Sequence, residues 1–143
     1  MKTVRQLLAA KNSRIISVHP EESVLAALKV MAECNIGAVL VLDNGRLEGI
    51  FTERDYARKV ALQGKTSSDT RVRDIMTSKV FYVSPERTTE ESMALMTEKR
   101  CRHLPVLDAE NKVLGIVSIG DLVKEALDQQ RFIIEQLELY ITR

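Results

Sequence analysis

Apolar and polar positions along this chain follow two periods in turn, and the whole pattern is written twice. A short apolar run, Ile15–Val18, reaches His19-Pro20, and a helical spacing follows over about Glu22–Cys34. Two strand-like runs come next, Val39–Leu42 and Leu47–Phe51. They flank Asp43-Asn44-Gly45-Arg46, whose Asn-Gly pair predicts a hairpin turn. A second helix is predicted to begin at Thr52. The same order then returns as Val80–Val83, a helix over about Thr88–Arg100, runs at Leu104–Leu107 and Val113–Val117 around Asp108–Lys112, and a helix from Ser118. In the second copy Thr88 and Glu91 have capping-box spacing, and Met93, Leu95 and Met96 supply the apolar face.

The correspondence holds residue by residue. Val18-His19-Pro20-Glu21 matches Val83-Ser84-Pro85-Glu86, Val41-Leu42-Asp43 matches Val106-Leu107-Asp108, and Gly49-Ile50 matches Gly115-Ile116. A lead-in repeats too, Val4-Arg5-Gln6-Leu7-Leu8 resembling Val72-Arg73-Asp74-Ile75-Met76. Gln63–Thr70 is the polar linker between copies. Each copy therefore reads β-α-β-β-α, an α+β class, and neither alone has enough apolar area for comfortable stability. Two copies packed sheet to sheet about a pseudo-twofold axis would bury those faces.

Charge narrows the function. The 21 basic and 20 acidic residues are well mixed and leave a net charge of +1, so nothing favours nucleic acid or a membrane surface. No apolar run approaches the roughly 18–20 residues of a membrane span. MKTVRQLLAAKNSR is a poor signal peptide, and the two cysteines, Cys34 and Cys101, lack metal-ligand spacing. Two free thiols suit a reducing compartment, and a cytoplasmic location is expected. His19 reads as a turn residue and Tyr56 as core.

The segments GIFTERD, Gly49 to Asp55, and GIVSIGD, Gly115 to Asp121, carry the candidate chemistry. A hydroxyl followed three residues later by an acid is an ordinary helix start, with Thr52 and Ser118 as caps. Both copies use Asp where Glu is usual, and both place the cap directly after a strand. There, free N–H groups can meet a phosphate and a carboxylate can accept from a ribose diol. Cap and ligand site both remain open readings.

Tandem Gly-hydrophobic-x-[Thr/Ser]-x-x-Asp segments, each after a β-α-β unit, resemble a pair of cystathionine β-synthase (CBS) domains. The resemblance covers nearly the whole chain. It implies CBS motif 1 with an N-terminal helix over 1–66, CBS motif 2 over 67–127, and a C-terminal helix over 128–143. It also implies two clefts for adenosine-containing ligands such as AMP, ADP, ATP, NAD(H) or S-adenosylmethionine. Asp55 and Asp121 would hold ribose hydroxyls, and Thr52 and Ser118 would meet phosphate or ribose. Ile36, Gly37, Ala38, Arg102, His103, Leu104 and Pro105 would line the adenine clefts, with Ile15, Ser17, Val80 and Tyr82 on the other wall. The copies differ in their bases. The first has Arg54 and Arg58 around Asp55, whereas the second has Arg100, Arg102 and His103 on the preceding segment. That complementarity suits one anion gripped by both halves, while Leu40 in place of the second copy's Pro105 argues against equal occupancy.

The expected function is a stand-alone regulatory module that senses adenine nucleotides in signal transduction. The competing reading is a ligand-free interaction module whose motifs are only caps. With two histidines and dispersed cysteines, no nucleophile–base pair or metal cluster emerges, so an enzyme is the weakest class. The expected partners are an adenine nucleotide, a regulated protein that the sequence does not name, and a second copy of the chain. The dimer expectation rests on Ala126–Thr142, where Leu127, Ile134 and Ile141 lie one heptad apart and Ile133, Leu137 and Tyr140 widen the stripe; the alternative is that the stripe docks on its own domain.

Overall fold

The computed structural model describes residues 2–11 and 14–142. In chain order they form α1 (Val4–Lys11), β1 (Ser17–Val18), α2 (Val24–Cys34), β2 (Ala38–Asp43), β3 (Arg46–Thr52) and α3 (Glu53–Tyr56), which widens into a π turn over Ala57–Ala61. The second half runs α4 (Val72–Ile75), α5 (Thr89–Lys99), β4 (His103–Leu107), β5 (Val113–Ser118) and α6 (Ile119–Thr142). In the first sheet β1 runs parallel to β2 and β2 antiparallel to β3, whereas the second sheet is the β4–β5 antiparallel pair. Asn44 and Gly45 both have positive φ, 51° and 79°, which makes the predicted hairpin a two-residue turn of the type that matches strand twist.

Two expected helix starts move by one or two residues. Ser23 and Thr88 keep extended backbones and cap the helices with their side chains, so α2 begins at Val24 and α5 at Thr89. The expected strands at Ile15–Val18 and Val80–Val83 are shorter than predicted. Only Ser17 and Val18 pair, with Leu40 and Val41, and the second stretch has a single bridge from Val83 to Val106. The cause is topological. Thr77 bridges to Ile50 in one half and Val83 to Val106 in the other, so the residues between cross from half to half and can ladder with neither.

Those crossings exchange the lead-ins. Val4 and Leu7 of α1 sit in the core of the second half with Val83, Met96, Leu104, Val106, Val117 and Leu122. Val72 and Ile75 of α4 sit in the core of the first, beside Val18, Val24, Met31, Val41 and Phe51. Matching backbone bonds dock each arm. The Val4 and Arg5 N–H groups donate to Arg87 and Pro85, and those of Val72 and Arg73 to Glu22 and Pro20. The repeated glycine follows from this crossing. A Cβ at Gly49 would lie 2.7 Å from the Thr77 carbonyl oxygen, and one at Gly115 would lie 3.0 Å from Leu8.

The sheets meet through Leu40 and Leu42 of β2, Leu47 of β3, Leu107 of β4, and Val113 and Ile116 of β5, which is the expected sheet-to-sheet contact. Beyond Ser118 the chain does not break into two helices. α6 is one helix of 24 residues, about 36 Å long. After Gly120 it contains no glycine or proline to stop it.

Candidate functional site

The hydroxyl–acid pairs are caps in both copies. The Thr52 hydroxyl accepts from the Asp55 N–H while the Asp55 carboxylate accepts from the Thr52 N–H at 3.0 Å. Ser118 and Asp121 make the same reciprocal pair, at 2.9 and 3.1 Å. What surrounds each acid differs. Asp55 is 6% exposed and also takes the Thr52 and Thr77 hydroxyls and, at 3.0 Å, the Lys59 ammonium. Asp121 is more open, and Lys11 at the end of the exchanged α1 reaches it at 2.9 Å while also donating to the Ile116 carbonyl. Burial raises the Asp121 pKa, but the Lys11 ammonium and the Ser118 donors outweigh it, and the carboxyl lies below its ordinary value. Burial pulls the His103 imidazole down; Asp121 opposes this, while Lys11 and Arg102 add to it.

Between the halves lies a cleft of about 310 Å³, at the small end of ligand-sized cavities. The first half contributes Gly37, Ile50, Thr52, Glu53, Arg54 and Asp55. The crossing segment adds Thr77, Lys79, Val80 and Phe81, and the second half adds Lys99 through His103. Five of these residues are cationic, Arg54, Lys79, Lys99, Arg100 and Arg102, against the carboxylates Glu53 and Asp55. In a chain whose net charge is +1, this is a local surplus of positive charge. Geometry helps to concentrate it. Arg100 caps α5 in the left-handed region, φ 53°, and its carbonyl accepts from Arg54 of the other half at 3.1 Å. Lys99 stands 5.1 Å over the Phe81 ring, a cation–π contact that places its charge near the mouth. Burial pushes the Cys101 thiol up, only partly offset by its own backbone N–H and by Arg54.

Seven of the expected residues meet in this cleft: Gly37, Thr52, Arg54, Asp55, Val80, Arg102 and His103. Ile36 lines a shallow depression beside it with Leu28, Met31, Asn35 and Glu53. Ala38, Leu104 and Pro105 are buried in the sheets, while Ile15, Ser17 and Tyr82 are exposed outside the cleft. Arg58 also lies outside, on the π turn, and Lys59 is the residue that turns back to Asp55. Ser118 and Asp121 sit at the pseudo-equivalent helix start, with Lys11. Sequence reasoning missed Lys79, Phe81 and Lys99. The expected strand at Val80–Tyr82 has no ladder, and successive residues 79–81 all line the cleft.

The two acids therefore predict different costs. Asp55→Ala removes a cap and strands Thr77 and Lys59, and should cost about 2–4 kcal/mol in the unliganded protein. Asp121→Ala should cost about 0.5–2 kcal/mol, within the range of a cap alone. Urea unfolding of both variants without ligand checks the order; equal costs would mean the extra Asp55 partners contribute nothing.

Chemically, the cleft offers guanidinium and ammonium donors to an anion and an apolar wall of Ile50, Val80 and Phe81 to a flat group. Among the described residues no cluster of His, Cys, Asp or Glu could hold a metal ion, and no helix is long and apolar enough to cross a membrane. The CBS-domain model matches residues 4–62 and 72–128. A protein with CBS domains from Burkholderia ambifaria has a solved structure 53% identical, with a TM-score of 0.86 over 90% of this chain and 96% of that one. The CBS domain pair of protein MJ0100, solved with 5′-methylthioadenosine and S-adenosylmethionine, is 25% identical, with a TM-score of 0.79 over 90% and 98% of the two chains. The mitochondrial CBS domain-containing protein CBSX3 of Arabidopsis thaliana is 41% identical over 126 residues, 85% of this chain. The chain spans 61% of the length of that relative. With two matching domains that cover most of its length, the chain belongs to the CBS-domain family.

Proposed function

We propose that this CBS pair is a regulatory module that binds an adenosine-containing nucleotide in the cleft between its halves. The surplus of cationic side chains in that cleft carries the reading. A nucleotide would set its phosphates among Arg54, Arg100 and Arg102 and its base against Ile50, Val80 and Phe81. Because Arg54 and Arg102 come from different halves, the bound phosphates would tie the halves together, which is how occupancy would be read by a regulated protein. A cationic cleft favours AMP, ADP, ATP or NAD(H) over S-adenosylmethionine, whose sulfonium is itself positive. The role is binding rather than catalysis, and two free cysteines suit a reducing compartment such as the cytoplasm.

One observation favours the ligand-free interaction module. The Asp55 carboxylate already accepts three hydrogen bonds from within the protein and is ion-paired with Lys59. A ribose would have to displace Thr77 or Lys59 from it. Titration calorimetry with AMP, ADP, ATP, NAD⁺, NADH and S-adenosylmethionine separates the readings. Heat from a phosphorylated nucleotide is expected, with S-adenosylmethionine weaker. No heat from any of them, in protein that purifies without nucleotide, would leave the interaction module as the answer.

A further inference from the structure

The N-terminal arm is pinned along the start of α6 by an ion pair at each of its ends. Lys2 reaches Glu125 at 3.1 Å, and Lys11 reaches Asp121 at 2.9 Å. Lys11 also donates to the Ile116 carbonyl at 3.2 Å, so its ammonium lies between β5 and the helix start. The Lys11 and Asp121 side chains are 30% and 24% exposed, and a pair so covered is screened less than one in open water. The arm itself is anchored. Val4 and Leu7 sit in the core, and the Val4 and Arg5 N–H groups donate to Arg87 and Pro85.

The repeat shows what this lysine does differently from its counterpart. Continuing the match of the two lead-ins sets Lys11 on Lys79, and Lys79 lines the cleft. The difference begins one turn into the helix that follows each motif. Asp55 takes its ammonium from Lys59, four residues on in its own half. The matching residue after Asp121 is Glu125, a carboxylate that cannot serve and is itself held by Lys2. Asp121 therefore draws its ammonium from the arm. Ser118 and Asp121 line neither the cleft nor the two depressions beside it. The asymmetry thus starts at Lys11 and not at Leu40, which is buried between the sheets.

We infer that Lys11 is a built-in occupant of the second helix start, which keeps nucleotide out of that half and leaves the chain with one binding site. The count of one rests on nucleotide binding in the cleft; the exclusion at Asp121 does not. A ribose diol approaching Asp121 would have to expel an ammonium that its docked arm holds at high effective concentration. Its phosphates would gain little in exchange, because Gly120 stands where the first half has Arg54. The arm of the first half is thus a strap across the second.

Titration calorimetry with ADP should give one site per wild-type chain. In amide NMR spectra ADP should move Thr52 and Asp55 and leave Ser118 and Asp121 in place. Lys11→Met keeps the aliphatic stem and removes the charge. It should bind two ADP, the second about ten- to a hundredfold more weakly for want of an arginine, and Ser118 and Asp121 should then move. Lys11→Gln should behave alike, with thermal melts to show that both variants fold. Asp121→Ala added to Lys11→Met should remove the second site. Two ADP on wild type, or Lys11 variants that still take only one, would overturn the inference and leave the cleft reading intact. One ADP on the variants and none on wild type would refute the cleft and leave the role of Lys11 standing. No binding by any of them would refute both.

Discussion

Arg102→Glu is expected to weaken binding of ADP or ATP about a hundredfold while leaving the unliganded protein as stable as wild type. A charge-assisted hydrogen bond to phosphate is worth about 1.5–3 kcal/mol, and a carboxylate in its place adds repulsion on the order of 1 kcal/mol near a surface. A total near 2.7 kcal/mol corresponds to the hundredfold. Unliganded stability should hold or rise slightly, because Arg102 is exposed and shares the cleft with Arg54, Lys99 and Arg100. Reversing one charge in a crowd of like charges relieves repulsion. Calorimetry and thermal melts on the same samples decide the matter. Full affinity in the variant would remove the phosphates from this cleft, and a collapsed melt would make Arg102 structural.

The second large effect is on stability and has an unusual address. Leu7→Ala should cost roughly 3 kcal/mol, as other large-to-small core changes do, and lower Tm by on the order of 10 °C for a chain of this size. Leu7 is 8% exposed and packs with Val83, Leu104 and Val117. The loss should therefore appear as faster amide exchange in β4 and β5, more than a hundred positions along the chain from the substitution for several of those amides. Faster exchange confined to β2 and β3, the nearer strands in sequence, would contradict the exchange of arms.

Much of the fold was legible because local chemistry and global architecture agree. Thr88 with Glu91, Asn44 with Gly45 and the two Thr/Ser-x-x-Asp pairs each state their own geometry, and the repeat states that it happens twice. The direction of the arms was not legible. Val4 and Leu7 announce that they want burial, yet no local pattern says in which half. The cleft was half legible for a related reason. Arg54, Arg102 and His103 lie inside repeated motifs, whereas Lys79, Phe81 and Lys99 reach it from either side of a crossing that only the assembled halves define. Arg58 follows Arg54 at a spacing that an α-helix would bring to one face, and the π turn at Ala57–Ala61 undoes that period.

The reciprocal docking of α1 and α4 has a consequence for how such a chain could arise. A lone ancestral copy carrying its own lead-in would have had an arm with no place on its own body and a groove with no arm of its own. Two identical copies would satisfy each other by swapping arms, a twofold exchange that needs no new contact. Joining them end to end through a segment such as Gln63–Thr70 turns that swap into one inside a single chain, and removes its dependence on concentration. Once joined, the halves are free to diverge, and one cleft can gather arginines and lysines while the opposite helix start holds a lysine against its own aspartate. The two halves now fold as mutual hostages, neither complete without sequence from the other side of the linker.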